Sequence, residues 1–232
     1  MEEDVGIADN EKSEESGHGK GLVMAFSDWK VWWLALALTS MVISLSFNAF
    51  FPTLTKTLGY NTTVTLLLCA PPWIFATLCA FAVTRHSDKT GERFWHIVTP
   101  LAIGIIGFVI AISTMNTAAR YISLFLMAQS YSGFVTFYAW ISNTVPRPPS
   151  KRAVALAFIN AFSQLGNIAG SYVWPTMWGP TYRNSYAICI ATNGLAIVMS
   201  FAFRQHLAHL NKELDREEEE VGQTQKGFRY LL

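Results

Sequence analysis

Trp95-His-Ile-Val-Thr-Pro-Leu-Ala-Ile-Gly-Ile-Ile-Gly-Phe-Val-Ile-Ala-Ile-Ser-Thr114 contains no Asp, Glu, Lys or Arg. A helix that crosses a bilayer needs about 20 mostly apolar residues, so this stretch reads as a transmembrane span. Two further stretches of the same kind precede it, Trp32–Phe51 and Val64–Val83. Three follow, Tyr121–Ile141, Ala153–Trp174 and Tyr186–Phe203, and none has an ionisable Asp, Glu, Lys or Arg in its interior. The expected fold class is therefore all-α integral membrane, with six transmembrane helices. The expected organisation is a disordered acidic leader (1–28), a six-helix domain (29–205) and a charged tail (206–232).

Charge orients the bundle. With both termini in the cytoplasm, Lys56, Arg120 and Arg183 are the basic residues outside, and the other 14 of the 17 Lys and Arg lie inside. That asymmetry is what the positive-inside rule predicts. The span ends fit a headgroup level, with Trp29, Trp32 and Trp33 opening the first, Trp95 the third, and Trp174 and Trp178 closing the fifth. Pro71-Pro72 falls inside the second span and should kink it and free backbone carbonyls. Lipid cannot bond those groups, so neighbouring helices or water must. Pro52 and Pro175, at span ends, read as helix terminators. The sequon Asn61-Thr62-Thr63 falls in the first outer loop, too close to the membrane for glycosylation to be expected.

Composition narrows the function. The net charge of +1 sums an acidic leader, basic inner turns and an acidic tail with the run Glu217–Glu220. No basic patch with interleaved aromatics suggests nucleic acid as a partner. Cys69, Cys79 and Cys189 all lie within spans and have no metal-ligand spacing, so packing is the reading for each, with no metal and no cofactor expected. Residues 1–20 hold seven acidic residues and no apolar run, unlike a signal peptide. An intramembrane enzyme needs a nucleophile, base or metal at depth, whereas the histidines (His18, His86, His96, His206, His209) lie in the leader or near inner span ends. No selectivity filter or Arg-rich voltage helix suggests a channel.

The second inner turn reads Thr84-Arg-His-Ser-Asp88-Lys89-Thr-Gly91-Glu92-Arg93. Gly91 permits a tight turn with positive φ. Asp88 can stand opposite the positive end of a neighbouring helix, and Arg93 can anchor to headgroups or a carboxylate. The turn resembles the major facilitator superfamily signature Gly-x-x-x-Asp-Arg-x-Gly-Arg-Arg. Asp88, Gly91 and Arg93 match, Lys89 keeps the charge, and Thr84 and Glu92 depart from it. The resemblance implies an inner gate at Asp88, Gly91 and Arg93; a plain polar basic turn is the other reading.

The stretch Asn143-Thr-Val-Pro146-Arg147-Pro-Pro149-Ser150-Lys151-Arg152, the helix that follows, and Trp178-Gly-Pro180-x-Tyr182-Arg183 resemble helices ten to twelve of the fungal anion:cation symporter branch, whose members resemble permeases for allantoate, nicotinate, pantothenate and biotin. The resemblance covers Trp29 to about Asp215. It implies the C-terminal half of a twelve-helix major facilitator fold, a 3+3 inverted repeat, and alternating-access transport of a small organic anion, coupled to protons. The implied partners are membrane lipid, the anionic substrate and an N-terminal six-helix half missing from this chain, with the plasma membrane as location. The alternative is an authentic six-helix protein with a structural or regulatory role that assembles with a full-length carrier.

In such a repeat the first span of each triplet lines the cavity, which points to Asn48, Gln129 and Tyr138 as substrate contacts. Asn160, Ser163, Gln164 and Asn167 follow i, i+3, i+4, i+7 and form one polar face of the fifth span. That face must meet protein or water. It either packs through hydrogen bonds and Gly166-x-x-x-Gly170 or faces the substrate path, in which case Asn160 and Gln164 join the substrate set. With no charge at depth, both the coupling group and the anion-binding cation are expected in the other half, and this chain alone is not expected to transport.

Overall fold

A computed structural model describes residues 18–145, 148–221 and 227–232; among them all regular structure is helical. The elements are α1 (His18–Phe26), α2 (Trp29–Ser44) continued by a single 3-10 turn (Leu45–Asn48), α3 (Phe51–Lys56), α4 (Thr62–Thr90), α5 (Phe94–Ser113), α6 (Thr117–Ala128), α7 (Ser130–Thr144), α8 (Pro149–Ser163), α9 (Leu165–Ser171) and α10 (Arg183–Val221). Local chemistry sets many of the ends. Asp28 caps α2 by accepting the Lys30 N–H, Asn61 caps α4 through Val64, and Asn116 caps α6 through Ala118 and Ala119. Each side chain occupies one of the donors a helix start leaves orphaned. The sequon asparagine thus has a structural use. Gly91 ends α4 at φ +68°, in the left-handed conformation that favours glycine.

Five helical stretches among the described residues are long and apolar enough to cross a bilayer: Trp29–Asn48, Thr62–Thr90, Phe94–Ser113, Pro149–Ser171 and Arg183–Glu220. The fourth expected span is not among the five, and it is divided as the fifth is at Gln164 between α8 and α9. Tyr121–Ile141 is not one helix but the junction of α6 and α7, divided at Gln129, where Gln129-Ser130-Tyr131-Ser132 dilutes its apolarity. Together α6 and α7 still run along α5. Part of the leader departs from the expectation. Residues 18–26, expected disordered, form α1, which packs on α8 with Phe26 against Phe158. The charged tail continues α10 as helix to Val221. The acidic stretch before residue 18, and Pro146-Arg147, lie outside the described residues.

The spans pack in a pattern with internal symmetry. α5 lies against α6–α7 and against α10; α10 lies against α2; α4 lies against α6–α7, and α8–α9 against α2. Exchanging the triplets α2/α4/α5 and α6–α7/α8–α9/α10 maps these neighbours onto themselves, as a 3+3 repeat requires. Small residues allow the close approaches. A Cβ on Gly107 of α5 would lie 2.8 Å from the Met127 amide nitrogen, and one on Gly166 of α9 would lie 2.8 Å from the Thr39 carbonyl oxygen of α2. Tight backbone contact of this kind holds helices together where lipid supplies no hydrophobic drive.

Two buried clusters stack along the bundle. One, around Leu38, Ile97, Phe137, Trp140 and Phe203, lies toward the end bearing the basic turns. The other, around Phe47, Phe108, Trp174, Tyr186 and Cys189, lies toward the opposite end. At that opposite end Arg120, expected just outside its span, is 3% exposed in the first turn of α6 and donates to the Pro180 carbonyl. Pro71 and Pro72 stand inside a continuous α4. Pro72 has no N–H to give the Leu68 carbonyl, and the Tyr121 hydroxyl donates to it instead at 3.3 Å, so the neighbouring helix supplies the bond that lipid could not.

Candidate functional site

Three of the broken spans carry a polar side chain at the break. The 3-10 turn after α2 ends at Asn48, α6 meets α7 at Gln129, and α8 meets α9 at Gln164. At Gln129 and Gln164 the N–H reaches only three residues back, to Leu126 and Ala161, a tightening that interrupts the regular α ladder. Asn48 and Gln164 open onto the same cavity; Gln129 does not. Its side chain is 7% exposed and its amide turns back onto the Phe125 carbonyl of its own helix at 3.2 Å. Of the five residues expected to contact substrate, Gln129 is the buried one.

The other four join two hydrogen-bonded groups. Asn48 donates to the Tyr131 hydroxyl at 3.2 Å. The Tyr138 hydroxyl donates to Asn160 Oδ1 at 2.6 Å, Gln164 Nε2 donates to the same oxygen at 3.3 Å, and Asn167 Nδ2 donates to Gln164 Oε1 at 2.7 Å. Asn160, Gln164 and Asn167 are exposed along α8 and α9. Ser163, expected on the same face, is fully buried and bonds to the Asn160 carbonyl. Gly166 and Gly170 turn against α2, where a Cβ on Gly170 would lie 2.5 Å from Ser46 Cβ. The span therefore does both things the sequence allowed: its small residues pack, and its amides are left open.

Two cavities meet at the Asn48–Tyr131 pair. One, of about 260 Å³, is bounded by Ser46, Asn48, Tyr131, Phe134, Gln164 and Asn167 and is rich in neutral donors and acceptors. The other, of about 510 Å³, is bounded by Asn48, Tyr131, Trp73, Thr77, Phe81 and Thr84 and is largely apolar. Trp73 packs edge-on to Tyr131, ring centroids 5.3 Å apart. No residue lining either cavity is charged. Trp73 escaped the sequence reading, although Trp73, Ala76, Thr77, Ala80, Phe81 and Thr84 recur at helical spacing and share one face of α4.

The turn between α4 and α5 holds its own network. Arg93 pairs with Asp88 at 2.7 Å and donates to Ser87 Oγ at 3.1 Å, and Ser87 in turn donates to the Glu92 carbonyl at 2.8 Å. Asp88 was expected opposite a neighbouring helix end; it faces Arg93 of its own turn instead, because the left-handed Gly91 folds the chain back on the last turn of α4. Glu92, read as a departure from the signature, pairs with Arg204 of α10 at 3.0 Å. His86 and His96, one on each side of the turn, approach to 2.6 Å. Among the described residues no group of three or more His, Cys, Asp or Glu could hold a metal.

The chain is similar to known membrane transporters. It is 28% identical over 209 residues to the MFS-type transporter cnsO of Penicillium expansum, covering 82% of this chain and 40% of that protein. It is 26% identical over 208 residues to the major facilitator-type transporter hxnP of Emericella nidulans, covering 85% and 41%. Vitamin H transporter 1 of Schizosaccharomyces pombe is 27% identical over 137 residues, covering 57% and 24%. The chain spans about two-fifths of the length of cnsO and hxnP. No solved structure matches it. These relatives are transporters rather than enzymes, and the profile described as Major Facilitator Superfamily matches residues 6–171: the chain belongs to that superfamily.

Proposed function

We propose that this chain supplies the C-terminal half of a secondary carrier for a small organic anion, working by alternating access with both termini in the cytoplasm. The observation that carries the reading is the open amide ridge Asn160, Gln164 and Asn167, tied to Tyr138 through Asn160, with Gln164 and Asn167 lining the smaller cavity together with Asn48 and Tyr131. Neutral amides and hydroxyls exposed in a membrane domain need a polar partner. A bound substrate inserted against an opposing half provides one.

The division of the cavities suggests the shape of that substrate. A compact polar end would bond Asn48, Gln164 and Asn167, while an apolar body would lie along Trp73 and Phe81. Vitamin H, a bicyclic urea on an aliphatic carboxylic acid, has this form, and one relative is named for it. Because neither cavity holds a lysine or arginine, the cation that neutralises the anion, and the group that carries a coupled proton, belong to the opposing half. Asp88, Gly91 and Arg93 then serve the gate on the cytoplasmic side. The asymmetry of basic residues supports that orientation.

Radiolabelled vitamin H uptake by cells expressing residues 1–232 is the test. The expected result is no uptake above vector control, with uptake appearing when an N-terminal half is co-expressed. Saturable uptake by this chain alone would sink the shared-cavity reading. An antibody to 211–232 applied to native membranes gives the companion result. A band near 25.9 kDa, with none larger, would favour a half-size protein that assembles with a separate carrier.

A further inference from the structure

The segment Gly227–Leu232 folds back beneath the end of the bundle that bears the basic turns. Its main chain is bonded at nearly every step. The Leu232 main-chain oxygen accepts from the N–H groups of both Arg93 and Phe94. The Leu231 carbonyl accepts from the Trp140 indole N–H at 2.8 Å. Tyr230 exchanges two hydrogen bonds with the Asn211 side chain, each 2.9 Å. Arg229 is clamped between Asp215, at 2.7 Å, and Glu218, both on α10. Lys30 of α2 sits 5.6 Å from the centre of the Tyr230 ring.

Two of these bonds answer needs that the rest of the fold leaves open. Arg93 stands at the N-cap of α5 and offers no capping side chain of the Ser, Thr, Asp or Asn kind. The first N–H groups of a helix need an outside acceptor, and Leu232 is that acceptor for two of them. Trp140 is fully buried at the end of α7, and a buried indole N–H also needs a partner; Leu231 supplies it. The segment thus joins the starts of α5 and α2 and the end of α7 to the polar extension of α10. Its contact with α5 falls on Arg93, the residue that closes the Asp88 ion pair. The Leu231 side chain lies beneath Gly91, 3.8 Å from where a Cβ would stand.

We propose that Gly227–Leu232 is an autoinhibitory strap that locks the Asp88–Arg93 turn onto α7 and α10, with Arg229 as its anchor. While the strap is seated, the turn cannot shift without stripping α5 of its cap and Trp140 of its acceptor. Release requires breaking the Arg229 clamp, and the acidic extension of α10 serves to hold it. The consequence for transport rests on the gate reading of Asp88, Gly91 and Arg93; the hold on the turn does not.

The test is amide hydrogen exchange on purified residues 1–232 in lipid nanodiscs, reading peptides across 85–97 and 227–232. Arg229→Ala and a variant lacking Gly227–Leu232 should each raise exchange at 85–97 by about tenfold or more, with the middle of α5 as protected as before. Arg229→Lys should fall between. Exchange at 85–97 within about twofold of the unaltered chain, in the variant lacking the strap, would overturn the proposal. So would an Arg229→Ala variant whose strap stays fully protected. If both variants lose protection in α5 itself, Asn211→Cys with Tyr230→Cys gives the converse measurement. Oxidising that pair should slow exchange at 85–97 and reduction should restore it; no difference would overturn the strap. Exchange is read without transport, so failure here is distinct from failure of the carrier reading.

Discussion

Glu92 and Arg204 stand 3.0 Å apart, one in the turn between α4 and α5 and the other on α10, with the guanidinium also 5.1 Å from the centre of the Phe94 ring. The acidic residue that breaks the signature pattern is thus the residue that ties the turn to the last span. Arg93, one position on, takes Asp88. The turn keeps two ion pairs pointing in different directions, one closing the turn on itself and one fastening it to the bundle.

Exchanging the charges of that second pair should restore what either single change removes. Glu92→Gln and Arg204→Gln should each lower stability by roughly 0.2–1 kcal/mol, the range for partly exposed pairs. The double variant Glu92→Arg with Arg204→Glu should recover most of the loss. Thermal unfolding of the purified chain in detergent, with Glu92→Arg and Arg204→Glu also measured singly, gives it as a double-mutant cycle. Additive losses in the swapped protein would mean that Arg204 acts through Phe94 alone.

Gly91→Ala should be destabilising even though the space around Gly91 is open. A Cβ there would meet only the Leu231 side chain at 3.8 Å, but φ is +68°. A left-handed conformation costs a residue with a Cβ about 1–2 kcal/mol. Gly91→Asn should cost less than Gly91→Ala, since asparagine tolerates that region. Equal thermal midpoints for the two variants would show that the conformation of the turn is not what glycine provides.

The spans were legible because lipid punishes charge, so residue type alone marks where the chain crosses; five of the six expected spans reappear, although the second and sixth run on as helix well past their expected ends, to Thr90 and Glu220. What escaped depends on pairing at a distance. Nothing in the residues around Gln129 tells whether its amide looks outward or back at the Phe125 carbonyl four residues earlier, which it bonds. The acidic tail reads only as a run of charge until Arg229 is brought back onto Asp215 and Glu218. The helix His18–Phe26 is short and flanked by charge, and it gains its order from α8, a partner far along the chain. The amide ridge was legible as a polar spacing, but its division was not. Ser163 differs from its neighbours only in lying on the side that α2 covers.

That division predicts a reactivity pattern. In a chain whose Cys69, Cys79 and Cys189 have been replaced by alanine, Asn160→Cys, Gln164→Cys and Asn167→Cys should react with a water-soluble thiol reagent. Ser163→Cys should not, being fully buried. Reaction in intact nanodiscs should be at least about tenfold faster at the three open positions, as expected where local opening is not needed. Equal protection at all four would mean that the ridge is packed against protein or lipid and cannot receive a substrate.

Asp28 links the start of α2 to the start of α8 and gives a prediction whose sign is set by pH. Its Oδ2 lies 2.7 Å from Lys151 Nζ and its Oδ1 accepts the Lys30 N–H at 3.0 Å. Burial by itself would raise the carboxyl pKa. The Lys151 hydrogen bond, the Lys30 amide and the two lysine charges outweigh it, and the net shift is downward. A carboxyl held below its unfolded pKa of about 3.9 contributes stability that is fully present above that pH. The contribution is lost as pH falls through the lower, folded value. Asp28→Asn isolates the charge, since asparagine caps a helix about as well as aspartate. At pH 7 the substitution should lower stability by on the order of 1–2 kcal/mol, the scale for a hydrogen bond to a charged group, with Lys151 left short of a partner. The gap from the unaltered chain should narrow as pH falls below about 4 and close once pH is below the lower, folded value, where the carboxyl is protonated in both states. Thermal midpoints of the two proteins measured side by side at pH 7 and pH 3 decide it. A gap of equal size at both would assign the contribution of Asp28 to capping rather than to the bridge between α2 and α8.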